Sequence, residues 1–225
     1  FSDDFEDTDV SLSNWDMDNG TLASTTLTNE AGIKLVDGDN SLVLTEAEND
    51  KYGFAYNQNA FSSAGSIEIT FDYTTSKSAA ANGSGGADGT AFILFDGSLN
   101  DAQIKAGGLG RGLGYMTSGG RTGEDFIGGY LAVGFDTYGG FAETNPGSTM
   151  DEYLVVRGNV ADGSSILFNT KLSDISGLGY SSYTATAKIK IIYEDGDLTI
   201  KLLKLNGDAG VDTDWVVAVE NLDVS

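Results

Sequence analysis

Cysteine and histidine are both absent from this chain of 225 residues, and proline occurs once. Without cysteine there is no disulfide, no thiolate metal site and no thiol nucleophile. Without histidine there is no imidazole ligand, no imidazole general base and no Ser-His-Asp triad. The composition therefore disfavours zinc, haem and copper chemistry. It leaves open the hard cations that bind oxygen, such as calcium.

Basic residues are also scarce: 12 lysines and arginines stand against 34 acidic residues, which gives a net charge of −22. Nucleic acid is a poor partner for such a chain, because phosphate binding needs a basic face. An anionic membrane surface is disfavoured for the same reason. No apolar run exceeds five residues, whereas roughly 20 are needed to cross a bilayer. We therefore predict no membrane insertion.

Apolar and polar residues alternate with a period of two in several parts of the chain. In Ser66–Tyr73 and Ala187–Tyr193 every second residue is apolar, as a half-buried strand requires. Asp195-Gly196 follows the second run and predicts a tight hairpin turn, with Leu198–Leu205 as the returning strand.

Two further runs, Ala91–Phe95 and Leu131–Phe135, are apolar on both faces and predict central strands covered from both sides. Turn signals of the Asp-Gly and Asn-Gly type recur along the chain, about every ten residues, a spacing typical of antiparallel sandwiches. No linker-like segment or fixed-period repeat interrupts this pattern. We therefore predict a single all-β domain over residues 1–225, a β-sandwich of antiparallel sheets.

Three glycine-containing segments carry polar groups that could contact a ligand. Gly85–Phe92 is a flexible loop that delivers one acidic residue, Asp88, at the mouth of a buried strand. Gly107–Tyr115 is a loop whose missing side chains let backbone N–H groups approach a ligand closely. Val133–Phe141 is a buried strand that ends in a carboxylate, an aromatic ring and a glycine turn. The order and spacing of the three are more specific than any one alone.

These motifs resemble those of the L-type (legume-like) lectins, and more closely those of their bacterial relatives in surface adhesins. The Gly-Ala-Asp-Gly-x-Ala-Phe pattern is matched by Gly86–Phe92, the Leu-Gly-aromatic pattern by Leu113–Tyr115, and the Val-x-Phe-Asp-Thr-Tyr pattern by Val133–Tyr138. The resemblance implies a concanavalin A-like jelly roll and a non-catalytic carbohydrate-binding module within a larger, multidomain adhesin. It also implies an extracellular or cell-surface location, with a glycan or polysaccharide on a cell or biofilm surface as partner.

The resemblance assigns sugar contacts to particular positions. Asp88 matches the family's sugar-binding Asp, whose carboxylate would accept hydrogen bonds from two sugar hydroxyls. The glycine loop would add a backbone N–H donor. It aligns in two registers, through 107–110 or through 110–114, and we assign the donor to Gly110 and Arg111.

The same resemblance implies a calcium ion beside the sugar. Asp136 matches the family's first calcium-coordinating Asp, and Asp151 matches its closing Asp. Tyr138 matches an aromatic position whose ring packs against a sugar while its carbonyl faces the calcium. Glu143 or Asn145 could supply a further oxygen towards the six to eight that calcium needs.

Two glycines depart from the family pattern. Gly134 stands where plant lectins carry a transition-metal Glu, and the chain has no histidine to complete that second site. Gly140 stands where an Asn normally binds both calcium and sugar, so Glu143 or Asn145 would have to replace it. A manganese-type site is therefore not expected.

Two alternative functions remain open. A glycoside hydrolase of the same fold needs two carboxylates flanking the scissile bond, which on a strand would appear as Glu-x-Asp-x-Glu. The nearest match is Glu68-x-Thr70-x-Asp72, which lacks the central acid and is typical of the polar face of a strand. We therefore expect no enzyme. The other alternative is a structural or protein-binding adhesin module that binds no sugar.

Overall fold

The structure, a computed structural model, describes residues 14–17, 29–36, 39–46, 48, 50–75, 88–117, 124–143, 152–175, 185–204 and 215–225. The strands in these ranges are β1 (Trp15–Asp16), β2 (Gly32–Val36), β3 (Asp39–Val43), β4 (Tyr56–Asn57), β5 (Ile67–Thr75), β6 (Gly89–Phe95), β7 (Gly129–Asp136), β8 (Tyr153–Arg157), β9 (Ile166–Lys171), β10 (Ala185–Glu194), β11 (Asp197–Lys204) and β12 (Val216–Asp223). Three short 3-10 turns lie at Gly110–Gly112, Val160–Asp162 and Leu172–Asp174. Within the described ranges, no helix has the length and apolar character that crossing a membrane takes.

Eight of these strands form two antiparallel four-stranded sheets. The front sheet has the strand order β6-β7-β8-β9, and the back sheet has the order β12-β11-β10-β5. Two smaller antiparallel pairs join β1 to β4 and β2 to β3. The predicted fold class is confirmed: the protein is all-β, with antiparallel sheets packed as a sandwich of the jelly-roll type.

The predicted hairpin forms the centre of the back sheet. Its strands β10 and β11 pair from Ala187↔Lys204 to Glu194↔Asp197. Asp195 and Gly196 lie between them with φ of 52° and 95°, the left-handed conformation that a two-residue hairpin turn requires at both positions. The predicted turn is therefore confirmed, and the returning strand runs one residue earlier than predicted, from Asp197 to Lys204.

The main core lies between the two sheets. Leu131, Val133 and Phe135 alternate along β7 and point towards the back sheet, where they are buried. The ring of Phe135 stacks on that of Tyr73 with centroids 5.1 Å apart. The back sheet contributes the buried side chains Ile189, Ile191, Leu198, Ile200, Leu202 and Val219.

A second core covers the opposite, outer face of the front sheet. Ala132 and Val155 supply its floor from β7 and β8, and the cover comes largely from loops, which contribute Tyr115, Phe126 and Phe141. The front sheet is thus buried on both faces, and its outer face is covered by chain that forms no regular sheet. This outer cover includes two of the three glycine-containing motifs.

Both predicted central strands are covered on both faces, but they differ in position among the described strands. Leu131–Phe135 does lie in a central strand, β7, with both faces buried. Ala91–Phe95 lies in β6, which is the edge of the front sheet among the described strands and is half-buried along most of its length. Its apolar character on both faces arises because the two cores meet it from either side, which an edge strand also allows.

Candidate functional site

Asp88 and the Asp136–Tyr138 segment lie side by side at one end of the front sheet. Gly89 of β6 pairs with Asp136 of β7, and the Thr137 N–H donates to the Asp88 carbonyl at 3.0 Å. Gly89 has a φ of 140°, and a Cβ there would collide with the Phe135 carbonyl oxygen. Glycine at 89 is therefore required for the close approach of two motifs that are separated by about 45 residues of sequence.

The Asp136 carboxylate organises the turn that follows β7. Its side chain is buried, with 1% of the residue exposed. Oδ1 accepts the N–H groups of Tyr138 at 3.1 Å and Gly139 at 2.8 Å, and Oδ2 accepts that of Ala142 at 2.8 Å. Three backbone donors thus stabilise one buried carboxylate, which fixes the path of the chain from 136 to 142.

The glycine loop folds on itself and presents its tip to this turn. Gly107 donates its N–H to the Gly114 carbonyl at 2.6 Å. A Cβ at Gly107 would lie 2.9 Å from two carbonyl oxygens, so this part of the loop is closely packed. Gly110 and Arg111 form the 3-10 turn at the tip, where Arg111 is exposed.

Arg111 contacts the glycine turn directly. A Cβ at Gly140 would lie 2.5 Å from the Cγ of Arg111 and 3.0 Å from its Cβ. The aliphatic stem of Arg111 therefore occupies the space that any side chain at 140 would need. This contact explains why glycine stands at 140. It also brings the glycine loop, Gly107–Tyr115, to the same end of the sheet as the other two motifs.

Besides the exposed Arg111, two further predicted sugar contacts are accessible there. Tyr138 is 37% exposed, and Asp88 is half-buried. The structure thus brings together Asp88, Gly110, Arg111, Asp136 and Tyr138, which sequence analysis drew from three separate segments. We call the surface at this end of the front sheet, which carries Asp88, Tyr138 and the glycine tip, the cup.

Phe141 packs in the outer core and anchors the turn that follows β7. Its ring lies against Gly134, where a Cβ would approach ring carbons to 2.6 Å. The Arg157 guanidinium carbon lies 4.9 Å from the centroid of the same ring, a cation–π contact. Gly134 is therefore a packing requirement of Phe141.

Arg157 is the residue of this region that sequence analysis missed. It ends β8 with 1% of its surface exposed. Nε and Nη2 both donate to the Phe141 carbonyl, at 3.0 and 2.6 Å, and Nη1 donates to the Ser164 carbonyl at 2.7 Å. Nη2 also pairs with Glu143 Oε1 at 2.9 Å. A signal existed: Arg157 has the same strand parity as Val155, which predicts that it faces the outer core.

The glycine loop is anchored at the same end of β8. The Tyr115 hydroxyl donates to the Gly158 carbonyl at 2.7 Å, and Tyr115 is fully buried. Burial disfavours the phenolate and raises the pKa of Tyr115 well above its ordinary value. Adjacent residues of the chain, Arg157 and Gly158, therefore hold the two loops that form the cup.

Two of the predicted calcium ligands, Asp136 and Glu143, already have partners within the chain. Three backbone N–H groups surround its carboxylate, so the partial charges next to it are positive. Glu143, a further predicted ligand, is ion-paired with the buried Arg157, whose charge would repel a cation bound nearby. Of the other three predicted ligands, Asn145 and Asp151 lie outside the described residues, and the third is the carbonyl of Tyr138.

No family model matches the chain, and no curated protein matches it.

Proposed function

We propose that this protein is a non-catalytic carbohydrate-binding module of a bacterial cell-surface or secreted adhesin, and that the cup binds a glycan. The observation that supports it most is the convergence of three distant motifs: Asp88 beside Thr137, and Arg111 against Gly140. Each motif alone is weak evidence for sugar binding. Recognition of hydroxyl groups needs several polar groups close together, and these motifs lie at the same end of the front sheet.

The chemistry of the cup suits a sugar. A carboxylate accepts hydrogen bonds from two neighbouring hydroxyls, and these charge-assisted bonds are stronger than neutral ones. Asp88 supplies such a carboxylate at the end of β6. Tyr138 supplies a partly exposed ring on which the C–H face of a sugar can pack. The rim of the glycine tip, at Gly110 and Arg111, would supply donors.

The first test is binding to a glycan array by the wild-type protein and by Asp88→Ala. Two charge-assisted hydrogen bonds at about 1.5 kcal/mol each predict a loss of roughly a hundredfold in affinity. Asp72→Ala is the matched control, because Asp72 is exposed on the solvent face of the back sheet and its loss changes the net charge equally. Retained binding in Asp88→Ala would place the glycan elsewhere.

A second pair of variants tests the aromatic contact. Tyr138 follows the last residue of β7 by two positions, and Tyr130 is the second residue of that strand. Both are exposed, at 37% and 43% respectively. Tyr138→Ala should weaken glycan binding about tenfold through the lost ring contact. Tyr130→Ala should leave it unchanged. Equal effects from both would contradict a sugar at the cup.

The hydrolase alternative finds little support in the acidic residues that suggested it. Glu68 and Asp72 are exposed on β5, where Glu68 pairs with Lys190 at 2.8 Å and Asp72 approaches Lys188 at 4.0 Å. They form the polar face of a strand, as their spacing predicted. Release of reducing sugar from polysaccharides would nevertheless show hydrolysis. Failure to bind any glycan at high protein concentration would favour the structural or protein-binding module.

A further inference from the structure

We propose that the buried guanidinium of Arg157 is the internal cation that orders the sugar-site loop, in place of a bound calcium ion. The sugar-site loop is defined as residues 137–143. Arg157 makes no contact with sugar in this proposal, so it is a positioning residue. Its effect on glycan binding depends on the proposed function, whereas its effect on the loop does not.

The contacts of Arg157 resemble the oxygen shell of a metal. Its guanidinium is surrounded by the carbonyl oxygens of Phe141 and Ser164 and by the carboxylate of Glu143, at 2.6 to 3.0 Å. A planar fork with five donors can bind several oxygens at once, which a lysine ammonium cannot do in the same geometry. One side chain thus joins the sugar-site loop to the loop after β8.

The backbone at both ends of this bridge is constrained. Glu143 and Ser164 have φ of 53° and 47°, a left-handed conformation that is costly for residues other than glycine. Glu143 directs its carboxylate to Arg157, and Ser164 directs its carbonyl there. Bonds to a buried positive charge are strong enough to stabilise such conformations.

The sugar-site loop is fixed by two side chains, and Tyr138 is held directly by the first of them. Asp136 binds the N–H groups of Tyr138, Gly139 and Ala142. Arg157 binds the carbonyl of Phe141 and covers its ring. An anion therefore holds the amides of this loop and a cation holds its carbonyl, so both kinds of backbone group are satisfied by the chain's own side chains.

The experiment measures amide hydrogen exchange and thermal unfolding without any glycan. In Arg157→Met, and in Arg157→Lys, we expect the amides of Tyr138, Gly139 and Ala142 to exchange at least about tenfold faster, since loss of the anchor allows local opening. Lys105→Met removes the same charge from an exposed position and serves as the control. The melting temperature of both Arg157 variants should fall by about 5 °C or more.

Glu143→Ala keeps the proposal testable if the Arg157 variants do not fold. Glu143 has 63% of its side chain exposed, so its truncation leaves the core intact. The same three amides should exchange about threefold faster in this variant, with the amides of β10 unchanged. Unchanged exchange of the loop amides in Glu143→Ala and in any folded Arg157 variant would overturn the proposal.

Calcium provides the opposing test. Millimolar calcium chloride or a chelator should leave the wild-type melting temperature unchanged, because a ligand stabilises a protein only if the native state binds it. A rise of several degrees with calcium, together with slower exchange of the loop amides, would overturn the proposal. A protein with the expected exchange behaviour that binds no glycan would contradict the proposed function and support the role of Arg157.

Discussion

The two faces of the front sheet are covered in different ways. The inner face packs against the back sheet through regularly alternating apolar residues such as Leu154. The outer face packs against loops, and its buried residues include Arg157 and Phe141 in direct contact. The inner face therefore gains its stability from periodic apolar burial. The outer face depends in addition on polar anchors and glycines at single positions, and the cup lies on that side.

The largest expected effects come from truncating one buried side chain on each face. Leu154→Ala and Phe141→Ala both leave cavities under fully buried positions and should each lower the free energy of unfolding by about 2–5 kcal/mol. Denaturant titration measures this loss. Hydrogen exchange then separates the two: Phe141→Ala should accelerate the amides of Tyr138 and Gly139 beyond the global change, and Leu154→Ala should not. The same local effect in both variants would contradict the division between faces.

Adding a methyl group at Gly134 should disturb the outer face alone. The new Cβ would lie 2.6 Å from the Phe141 ring, and overpacking of this kind costs about 1–3 kcal/mol. Gly32→Ala is the control, because a Cβ at Gly32 has no atom within 4 Å. Thermal unfolding of the two variants measures the difference. In Gly134→Ala/Phe141→Leu, the smaller side chain should restore part of the stability; no restoration would show that the clash lies elsewhere.

Alkaline pH should destabilise the inner face through Tyr73. Burial raises the pKa of Tyr73 to about 12, above the value near 10 of an unfolded chain. The neutral phenol is therefore favoured in the folded state, so stability is complete below pH 10 and is lost as pH rises through 12. The loss at pH 11 is about 1.4 kcal/mol. Tyr73→Phe should flatten this part of the pH profile, and an unchanged profile would contradict the role of Tyr73.

The smallest expected effect contrasts two ion pairs of similar length. Glu68 and Lys190 are 2.8 Å apart on the solvent face of the back sheet, and Glu143 and Arg157 are 2.9 Å apart at the buried end of β8. Glu68→Gln should change stability by about 0.2–1 kcal/mol, and less at high salt. Glu143→Gln should cost more, since its partner is buried. Urea titration at low and at high salt measures the free energy of unfolding of both variants. Equal losses in Glu68→Gln and Glu143→Gln would contradict this difference.

The regular strands of the fold could be predicted from the sequence. The residues that hold the loops on the outer face of the front sheet could not. Alternation over Ser66–Tyr73 predicted β5, and the Asp-Gly signal predicted the β10–β11 hairpin, because both follow from local geometry. The role of Arg157 could not be predicted, since two of its partners are backbone carbonyls that any residue type carries. The reason for Gly134 also stayed hidden until the position of Phe141 was known.

For the cup, the sequence predicted which residues lie together, whereas the ligands predicted for them stay proposals. Asp88, Gly110, Arg111, Asp136 and Tyr138 were predicted to share a site, and they lie together at one end of the front sheet. Whether they bind sugar stays a proposal. Glu143 was predicted as a calcium ligand, and in the structure it pairs with a guanidinium.

Amide chemical-shift mapping during titration with the strongest glycan from the array tests the central claim most directly. The account predicts that the largest shifts fall on Asp88, on Gly110–Arg111 and on Thr137–Gly139, with the strands of the back sheet unaffected. Shifts confined to the back sheet or to the opposite end of the front sheet, or no shifts with any glycan at millimolar concentration, would contradict it.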